Sequence, residues 1–400
     1  MDKLTLRAMD VRNRRVLVRV DYNVPLQDGR VADATRIRET LPTLQLLIEQ
    51  QARIILCSHL GRPKGKPDPR YSLRPVVTAL AALLAERLGH AVNVAFCPVT
   101  IGPEAQAAAA AVQPGDILLL ENLRFQAEEE ANDRGFAEQL GMLAEVYVND
   151  AFGSAHRAHA STVGVTHFLP QAGAGLLLEK ELRYLGQALE SPEHPYIVIL
   201  GGAKIADKIP VIERLAPLAD AFLIGGGMAY TFLAAQGLPI GGSMVEPDRI
   251  ETARRILDHA APHGRYKVLL PVDHVVAERL EAGVSSQVVD TIASNQKAFD
   301  IGPRTRALYA AEIGRARMIL WNGPMGVFEI PPFEAGTVAI ARAVGASAAV
   351  SIVGGGDSVA AIHAAGEAAQ ITHISTGGGA SLEFLGGQQL PGVAALSAAR

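Results

Sequence analysis

This chain is poor in sulfur and in rings. It holds 2 cysteines and 1 tryptophan in 400 residues, and aromatic residues make up 5% of it. Cys57 and Cys97 form neither a disulfide framework nor a CxxC metal pair, and so few thiols fit a reducing compartment. An excess of positive charge is missing too. The net charge is −4, which argues against a general nucleic-acid binder. The first residues, MDKLTLRAMD, carry acids and no apolar stretch, so no signal peptide is expected. The uncharged run Ala221–Val245 invites a test as a membrane span. Gly225-Gly226-Gly227 and Pro239-Ile240-Gly241-Gly242 break it where a spanning helix would continue. It reads instead as buried strand, glycine turn and helix. The expectation is a cytoplasmic protein without membrane or nucleic-acid partners.

Several catalytic signatures are also absent. The nearest candidate for a Walker A motif, Gly65-Lys66, is followed by Pro67 and lacks the upstream glycine. No GxGxxG occurs, which counts against a standard dinucleotide fold. His156-Arg157-Ala158 is not the HRD of protein kinases, and neither GxSxG nor HExxH is found, so serine-hydrolase and zincin readings lose support. His156 and His159 have a spacing that could ligate zinc, but no carboxylate or thiolate stands nearby at a ligand spacing.

What is present is alternation. A hydrophobic content of 49% with 20% charged residues is ordinary for a soluble α/β protein, and the length suggests two or three domains. In the first half, apolar strand runs are followed by polar or basic turns and then helical patterns. Val16–Val20 leads into Asp21-Tyr22-Asn23, Arg53–Cys57 into Ser58-His59-Leu60-Gly61-Arg62, and Ala91–Phe96 follows a helix at 76–88. Asp116–Leu120 leads into Glu121-Asn122-Leu123-Arg124, and Val146–Val148 into Asn149-Asp150. Such alternation predicts a parallel sheet with right-handed crossovers. Ligands then bind beyond the carboxyl ends of the strands. There this half keeps Asp21, Asn23, His59, Arg62, Arg124, His156, Arg157 and His159, with Arg36 and Arg38 at the start of the next helix. Guanidinium forks match carboxylate and phosphate bidentately, so the rim reads as a pocket for a small multiply charged anion.

A helix follows at 175–190, with Leu178, Leu182, Leu185 and Leu189 forming one apolar stripe. It would span roughly 24 Å, a strut with joints at Gly173–Gly175 and Ser191–Pro195. The second half repeats the strand pattern with different endings. Tyr196–Leu200 ends in Gly201-Gly202-Ala203-Lys204, and Ala221–Ile224 in Gly225-Gly226-Gly227. Lys267–Leu270 ends in Pro271-Val272-Asp273, and Met318–Trp321 in Asn322-Gly323-Pro324. Ala349–Val353 ends in Gly354-Gly355-Gly356-Asp357-Ser358, and Thr372–Ile374 in Ser375-Thr376-Gly377. Glycine clusters at strand ends let backbone amides approach phosphates. Lys204 and Lys208, spaced to share a face at a helix start, complete a site for a polyanion, most simply a nucleotide phosphate. Asp357 at a helix start is an N-cap or, beside phosphates, a Mg²⁺ ligand.

At these residues the chain resembles the phosphoglycerate kinase family along nearly its whole length. RVLVRVDYNVP at Arg15–Pro25 fits that family's signature at every position. It is joined, in the family's order, by SHLGRP at 58–63, ENLRF at 121–125, AFGSAHRAHAS at 151–161, EKELRYLG at 179–186, GGAKIADKI at 201–209, WNGPMGVFE at 321–329, VGGGDS at 353–358 and STGGGA at 375–380. Tyr22, Ala32 and Ala34 depart from the family's usual residues and touch none of the roles below.

The resemblance implies an α/β fold of two Rossmann-like domains, each with a parallel six-stranded sheet flanked by helices, facing across a cleft. A phosphoglycerate-binding domain at 1–172, completed by 386–400, is joined through the helix 173–190 to a nucleotide-binding domain at 191–385. The implied reaction is reversible, Mg²⁺-dependent, direct in-line phosphoryl transfer between 1,3-bisphosphoglycerate plus ADP and 3-phosphoglycerate plus ATP, by a monomer. Asp21, Asn23, Arg36, His59, Arg62, Arg124 and Arg157 match positions that hold phosphoglycerate. Gly202, Ala203, Lys208, Gly226, Asn322, Pro324, Glu329, Gly354, Gly355, Gly356, Asp357 and Ser358 match the nucleotide site. Lys204, Lys208 and Arg36 match the catalytic cations, and Asp357 the carboxylate facing the metal. The cleft would rest open and close when both ligands bind. The rival readings are a two-domain nicotinamide-dependent dehydrogenase, which the missing glycine fingerprint lowers, and a non-catalytic anion-binding protein, which would call for an export signal.

Overall fold

The apolar runs become the interior strands of two parallel sheets. A computed structural model describes residues 3–260 and 266–399. The chain divides into two compact units, Met1–Arg183 with Gln389–Arg400, and Tyr184–Gln388.

In the first unit the strands are β1 (Arg15–Val20), the short hairpin β2 (Leu26–Gln27) and β3 (Arg30–Val31), β4 (Arg53–Cys57), β5 (Val94–Cys97), β6 (Ile117–Leu120), β7 (Val146–Asp150) and β8 (Ala172–Ala174). Six of them form one parallel sheet in the order β5-β6-β4-β1-β7-β8. Central strands of such a sheet are covered on both faces, which is why they read as unbroken apolar runs rather than alternating ones. In β1, Val16 to Val20 are all buried, Arg19 among them. The strand expected at Ala91–Phe96 begins later, at Val94. Gly89 ends the preceding helix in the left-handed region, and the residues after it are spent on the connection.

The edge strand β8 has no apolar run to announce it. Its Gly173 packs directly on Met9, and Gly175 on the carboxylate of Asp150, so that neither position has room for a Cβ. These glycines, expected to serve as a joint, are sites of close packing. The helix after them is Leu176–Glu190. Leu178, Leu182 and Leu185 are buried along its stripe, and Ala188 rather than Leu189 continues the buried face.

The second unit holds β9 (Tyr196–Leu200), β10 (Ala221–Ile224), β11 (Lys267–Leu269), β12 (His274–Ala277), β13 (Gln287–Val289), β14 (Lys297–Ile301), β15 (Met318–Asn322), β16 (Val350–Gly354) and β17 (His373–Ile374). The six-stranded parallel sheet runs β11-β10-β9-β15-β16-β17, and β13-β12-β14 form a separate antiparallel sheet. The run Ala221–Val245 is a strand, a glycine turn and the helix Met228–Ala235. Among the described residues no helix is long and apolar enough to cross a membrane.

The strand order reverses between the parallel neighbours β9 and β15: β10 and β11 extend to one side, β16 and β17 to the other. Such a switch point opens a crevice at the carboxyl ends of the strands. Here the two loops at the crevice interlock through main chain. Gly201 N donates to Asn322 O at 3.0 Å and Gly202 N to Pro324 O at 2.9 Å. Gly323 has φ +99 and packs on the backbone of Gly201, so a side chain at either position would force the loops apart.

One buried acid controls a helix start. Asp150 Oδ1 accepts from the amides of Leu177 at 2.9 Å and Leu178 at 3.2 Å, while its Oδ2 has no partner. Burial pushes its carboxyl up to about 7, against the opposing pull of Thr43 and the two amides. The folded protein therefore retains a proton that the unfolded chain has released above the ordinary value of 3.8. That contribution to stability is complete below the unfolded value and is lost as pH rises through the folded one. Asp150→Asn keeps an acceptor for both amides without a charge. Its Tm relative to the parent should rise by roughly 2–6 °C between pH 5 and pH 8. A difference constant with pH in calorimetry would mean that Asp150 titrates normally.

Candidate active site

In the first unit the loops after β1, β4, β6 and β7 are tied to one another by polar contacts. Arg36, in the helix Thr35–Glu49, reaches Asp21 at 2.7 Å. Asp21 Oδ1 also accepts from the amide of Asn23 at 3.2 Å, and Ser154, after β7, donates to Oδ2 at 3.4 Å. Asn23 Oδ1 accepts from Gly61 N at 2.9 Å, and the Gly61 carbonyl accepts from Arg124 Nη1 at 2.8 Å. Arg124 is buried and pairs with Glu130 at 3.2 Å. Arg157 Nε donates to His156 Nε2 at 3.2 Å, and Arg62 is exposed.

The electrostatics follow from that crowding. Burial alone would raise the Asp21 carboxyl, but His59, Arg36 and Arg19 facing it bring it down to about 2. Burial pushes the His59 imidazole well below its ordinary range, Asp21 opposing and the arginines assisting. His159 falls to about 4 for the same two reasons, burial first and arginines second. Its Nδ1 lies 3.9 Å from Glu129, a lone buried carboxylate, and among the described residues no three His, Cys, Asp or Glu side chains gather as metal ligands.

In the second unit the switch-point crevice holds a cavity of about 450 Å³, lined by Gly202, Lys204, Lys208, Asn322, Gly355 and Asp357 among others. A second cavity of about 660 Å³ shares Gly202, Ala203, Pro324 and Asp357 with it. It extends to Gly226, Tyr230, Met244, Phe299, Val327 and Glu329. The first is the smaller, with Lys204, Asp207, Lys208 and Asp357 in its lining, and the second is larger, with more aromatic and aliphatic side chains. Together they suit a ligand with a polyanionic tail and a flat, weakly polar body.

The two lysines differ. The expected helix start carrying both does not form: the helix is Ile209–Leu215, and residues 204–208 lie before it, with a turn at 206–208. The amide of Ile205 donates to Glu246 Oε2 at 2.5 Å, which fixes the turn before Pro210 enters the first helical position pair. Lys204 is consequently exposed, while Lys208 is buried with its ammonium donating to Asn322 Oδ1 in a short contact. Asn322 Nδ2 is buried and has no partner. Asp357 is exposed in the first turn of the helix Gly356–Ala364 and makes no capping bond, so it is not an N-cap. Ser358 is buried, its Oγ accepting from Gly323 N at 2.6 Å, and Gly354 closes β16 behind the lining. The amides of Gly202 and Gly226 are committed to Pro324 O and Met325 O, so these glycines shape the loops rather than donate to a ligand.

Sequence reasoning passed over Arg19, Asn122, Glu246 and Met244. Asn122 fixes the rim by accepting from Leu60 N and Arg124 N at 3.1 and 3.0 Å. Arg19 left a readable signal, a lone charge within a buried strand run.

Comparison with known proteins bears on this arrangement. A family model described as phosphoglycerate kinase matches residues 6–388. A phosphoglycerate kinase of Koribacter versatilis (strain Ellin345) is 56% identical, over 99% of this chain and 100% of its own. One from Moorella thermoacetica is also 56% identical, with the same coverage. The solved phosphoglycerate kinase of Coxiella burnetii superposes with a TM-score of 0.86 at 41% identity, over 98% of both chains.

The buried lysine gives the crevice a pH dependence. Burial lowers the Lys208 ammonium to about 8, with Asp207 and Asp357 pulling the other way. It is mostly charged at pH 7 and mostly neutral at pH 9, so affinity for a nucleoside diphosphate should fall by up to about tenfold across that interval. Titration calorimetry should show a flat profile for Lys208→Met in the same range. If the variant keeps the slope, another group is responsible.

Proposed function

We propose a division of labour from one premise: the chain belongs to the phosphoglycerate kinase family, whose reaction is reversible phosphoryl transfer between 1,3-bisphosphoglycerate plus ADP and 3-phosphoglycerate plus ATP. Phosphoglycerate is assigned to the basic rim of the first unit, on Asp21, Asn23, Arg36, His59, Arg62, Arg124 and Arg157. The nucleotide is assigned to the paired cavities of the second unit, with Glu329 beside the ribose and the loops at 202–203, 226, 322–324 and 354–358 around it. One observation carries the nucleotide assignment. A buried ammonium, Lys208, and a buried amide donor without a partner, Asn322 Nδ2, line the same cavity. Buried donors left unpaired call for an acceptor, and phosphate oxygens supply it.

A divalent cation fits this site. Asp357 offers an exposed carboxylate on both cavities, and the absence of a denser acidic cluster among the described residues suits Mg²⁺, which takes one or two carboxylates and fills its shell with phosphates and water. When bound, Mg²⁺ would neutralise charge on the phosphate oxygens. In the ATP-consuming direction a carboxylate oxygen of 3-phosphoglycerate attacks the terminal phosphorus as its bond to ADP breaks. That oxygen is already ionised at neutral pH, so no general base is needed. Lys204 follows the transferring group, Lys208 holds the nucleotide phosphates, and Arg36 meets the charge that develops. Catalysis then rests on positioning and charge neutralisation. A single copy of the chain carries both sites, so a monomer suffices, and two free buried cysteines suit the reducing cytoplasm.

A coupled assay of ATP-dependent 3-phosphoglycerate phosphorylation, with and without Mg²⁺, tests the reading as a whole. Asp357→Asn should lower kcat strongly and raise the Mg²⁺ requirement, and a magnesium titration matching the parent would remove the metal role. Arg124→Ala and Arg36→Ala should fail differently. Arg124 is fixed in its loop, so its loss should raise KM for phosphoglycerate. Loss of Arg36 should fall on kcat, by roughly 10³–10⁵ if it acts like an arginine finger. Indistinguishable kinetics for the two variants would refute the division.

A further inference from the structure

Behind the basic rim lies an arginine that the proposed reaction does not use. Arg19 is 1% exposed, in the last turn of the pleat of β1. Its Nε donates to Ser161 Oγ at 2.9 Å, and Nη1 donates to the carbonyl of Val20. Ser161 hands the contact on: its hydroxyl donates to Glu129 Oε1 at 2.6 Å and its amide to Oε2 at 3.0 Å. The buried positive charge is thus matched, through one hydroxyl, by a buried carboxylate. The remaining nitrogen, Nη2, lies 3.1 Å from His59 Nδ1.

A guanidinium carries N–H bonds on every nitrogen and no lone pair, so at this contact it can only donate. His59 Nδ1 must accept, and the single proton of a neutral ring then sits on Nε2. We propose that Arg19 is a positioning residue that holds His59 as the neutral Nε2–H tautomer, so that His59 meets phosphoglycerate as an uncharged hydrogen-bond donor. The ligand half of this rests on the assignment of phosphoglycerate to the rim.

The choice of tautomer sets the sign of the interaction. With the proton on Nδ1, Nε2 would present a lone pair to an anion. With both nitrogens protonated, one N–H would point at a guanidinium. The charged groups facing the ring are Arg19 from β1, Arg36 from the helix Thr35–Glu49, Arg124 after β6, and Asp21 after β1. Only Asp21 favours a second proton, and it is already engaged by Arg36 at 2.7 Å. Burial of the ring acts in the same direction as the arginines.

Long-range ¹H–¹⁵N spectra of the full-length protein with ¹⁵N-histidine test this directly, with His59 assigned by its loss in His59→Asn. At pH 7 the free protein should show an unprotonated Nδ1 and a protonated Nε2, and the pattern should persist at pH 6. A protonated Nδ1, or a cationic ring at pH 7, overturns the proposal. Arg19→Met should give mixed tautomers, and KM for 3-phosphoglycerate should rise about tenfold, the loss of one good hydrogen bond. Arg19→Lys, which also can only donate, should restore the parental tautomer. If the Met variant does not fold, the spectra of the parent and the Lys variant still decide. Adding 3-phosphoglycerate should shift the Nε2–H signal. The stated tautomer with no such shift would overturn the ligand assignment and leave Arg19's hold on the ring intact.

Discussion

Both six-stranded sheets are covered on both faces, and that single constraint decides where chemistry can occur. A polar side chain on a central strand has no water to turn to, and burying it unpaired costs more than a packed apolar residue recovers. Polar groups therefore collect where strands end. In the first unit every side chain assigned to phosphoglycerate stands after β1, β4, β6 or β7, or on the helix that follows the first of them. Arg19 lies within a strand, in register with Asn149 of β7, and it is tolerated because Glu129, Ser161 and the Val20 carbonyl complete its shell. The same arginine fixes the imidazole in front of it.

In the second unit the same constraint is met with main chain instead of side chains. The loops after β9 and β15 approach so closely that their amides and carbonyls satisfy one another, and no Cβ fits at Gly201 or Gly323. Side chains then hold these loops from behind. Ser358 takes the amide of Gly323, and Asp300 Oδ2 accepts from Gly336 N at 2.6 Å, where the chain leaves the segment bearing Val327 and Glu329. Gly326 and Gly336 both pack on the Asp300 carboxylate. Glu246 couples two ends of the site: it accepts from Ile205 in the lysine turn, while its neighbours Met244 and Val245 line the larger cavity. A shift at either end is felt through one carboxylate.

What could be read from the sequence was what local physics decides. Tyr196–Leu200 and Arg53–Cys57 were legible because an uncharged, β-rich run between turn signals has few alternatives. The alternation of runs with helices carried the α/β class, and the motif residues carried the family. The strand β8 was not legible, since Ala-Gly-Ala owes its place to Met9 and Asp150 packing against it and not to any propensity of its own. The antiparallel sheet β12–β14 was missed because its strands are short and interrupted by charged loops, with a register shift between Val275 and Val276. The helical reading of Lys204 failed for a similar reason. Spacing of four residues fits a helix, but Glu246, forty-one positions from Ile205, decides otherwise by capturing an amide.

That failure bears on the reaction. On one helical face the two lysines would have been near equivalents, both solvated and both free to exchange partners. The structure separates them. Lys208 is buried, partly stripped of water and directed by Asn322, so its ammonium has one place to be. Lys204 is exposed at the mouth of the same cavity, on a flexible stem with little to hold it. In a transfer reaction one set of phosphates stays with the nucleotide while another group moves from donor to acceptor oxygen. A fixed cation suits charge that does not move, because its desolvation is already met before the ligand arrives. A mobile one suits charge that does, because it can follow the group without breaking a buried contact. Burial, and not sequence position, is therefore what distinguishes the two lysines.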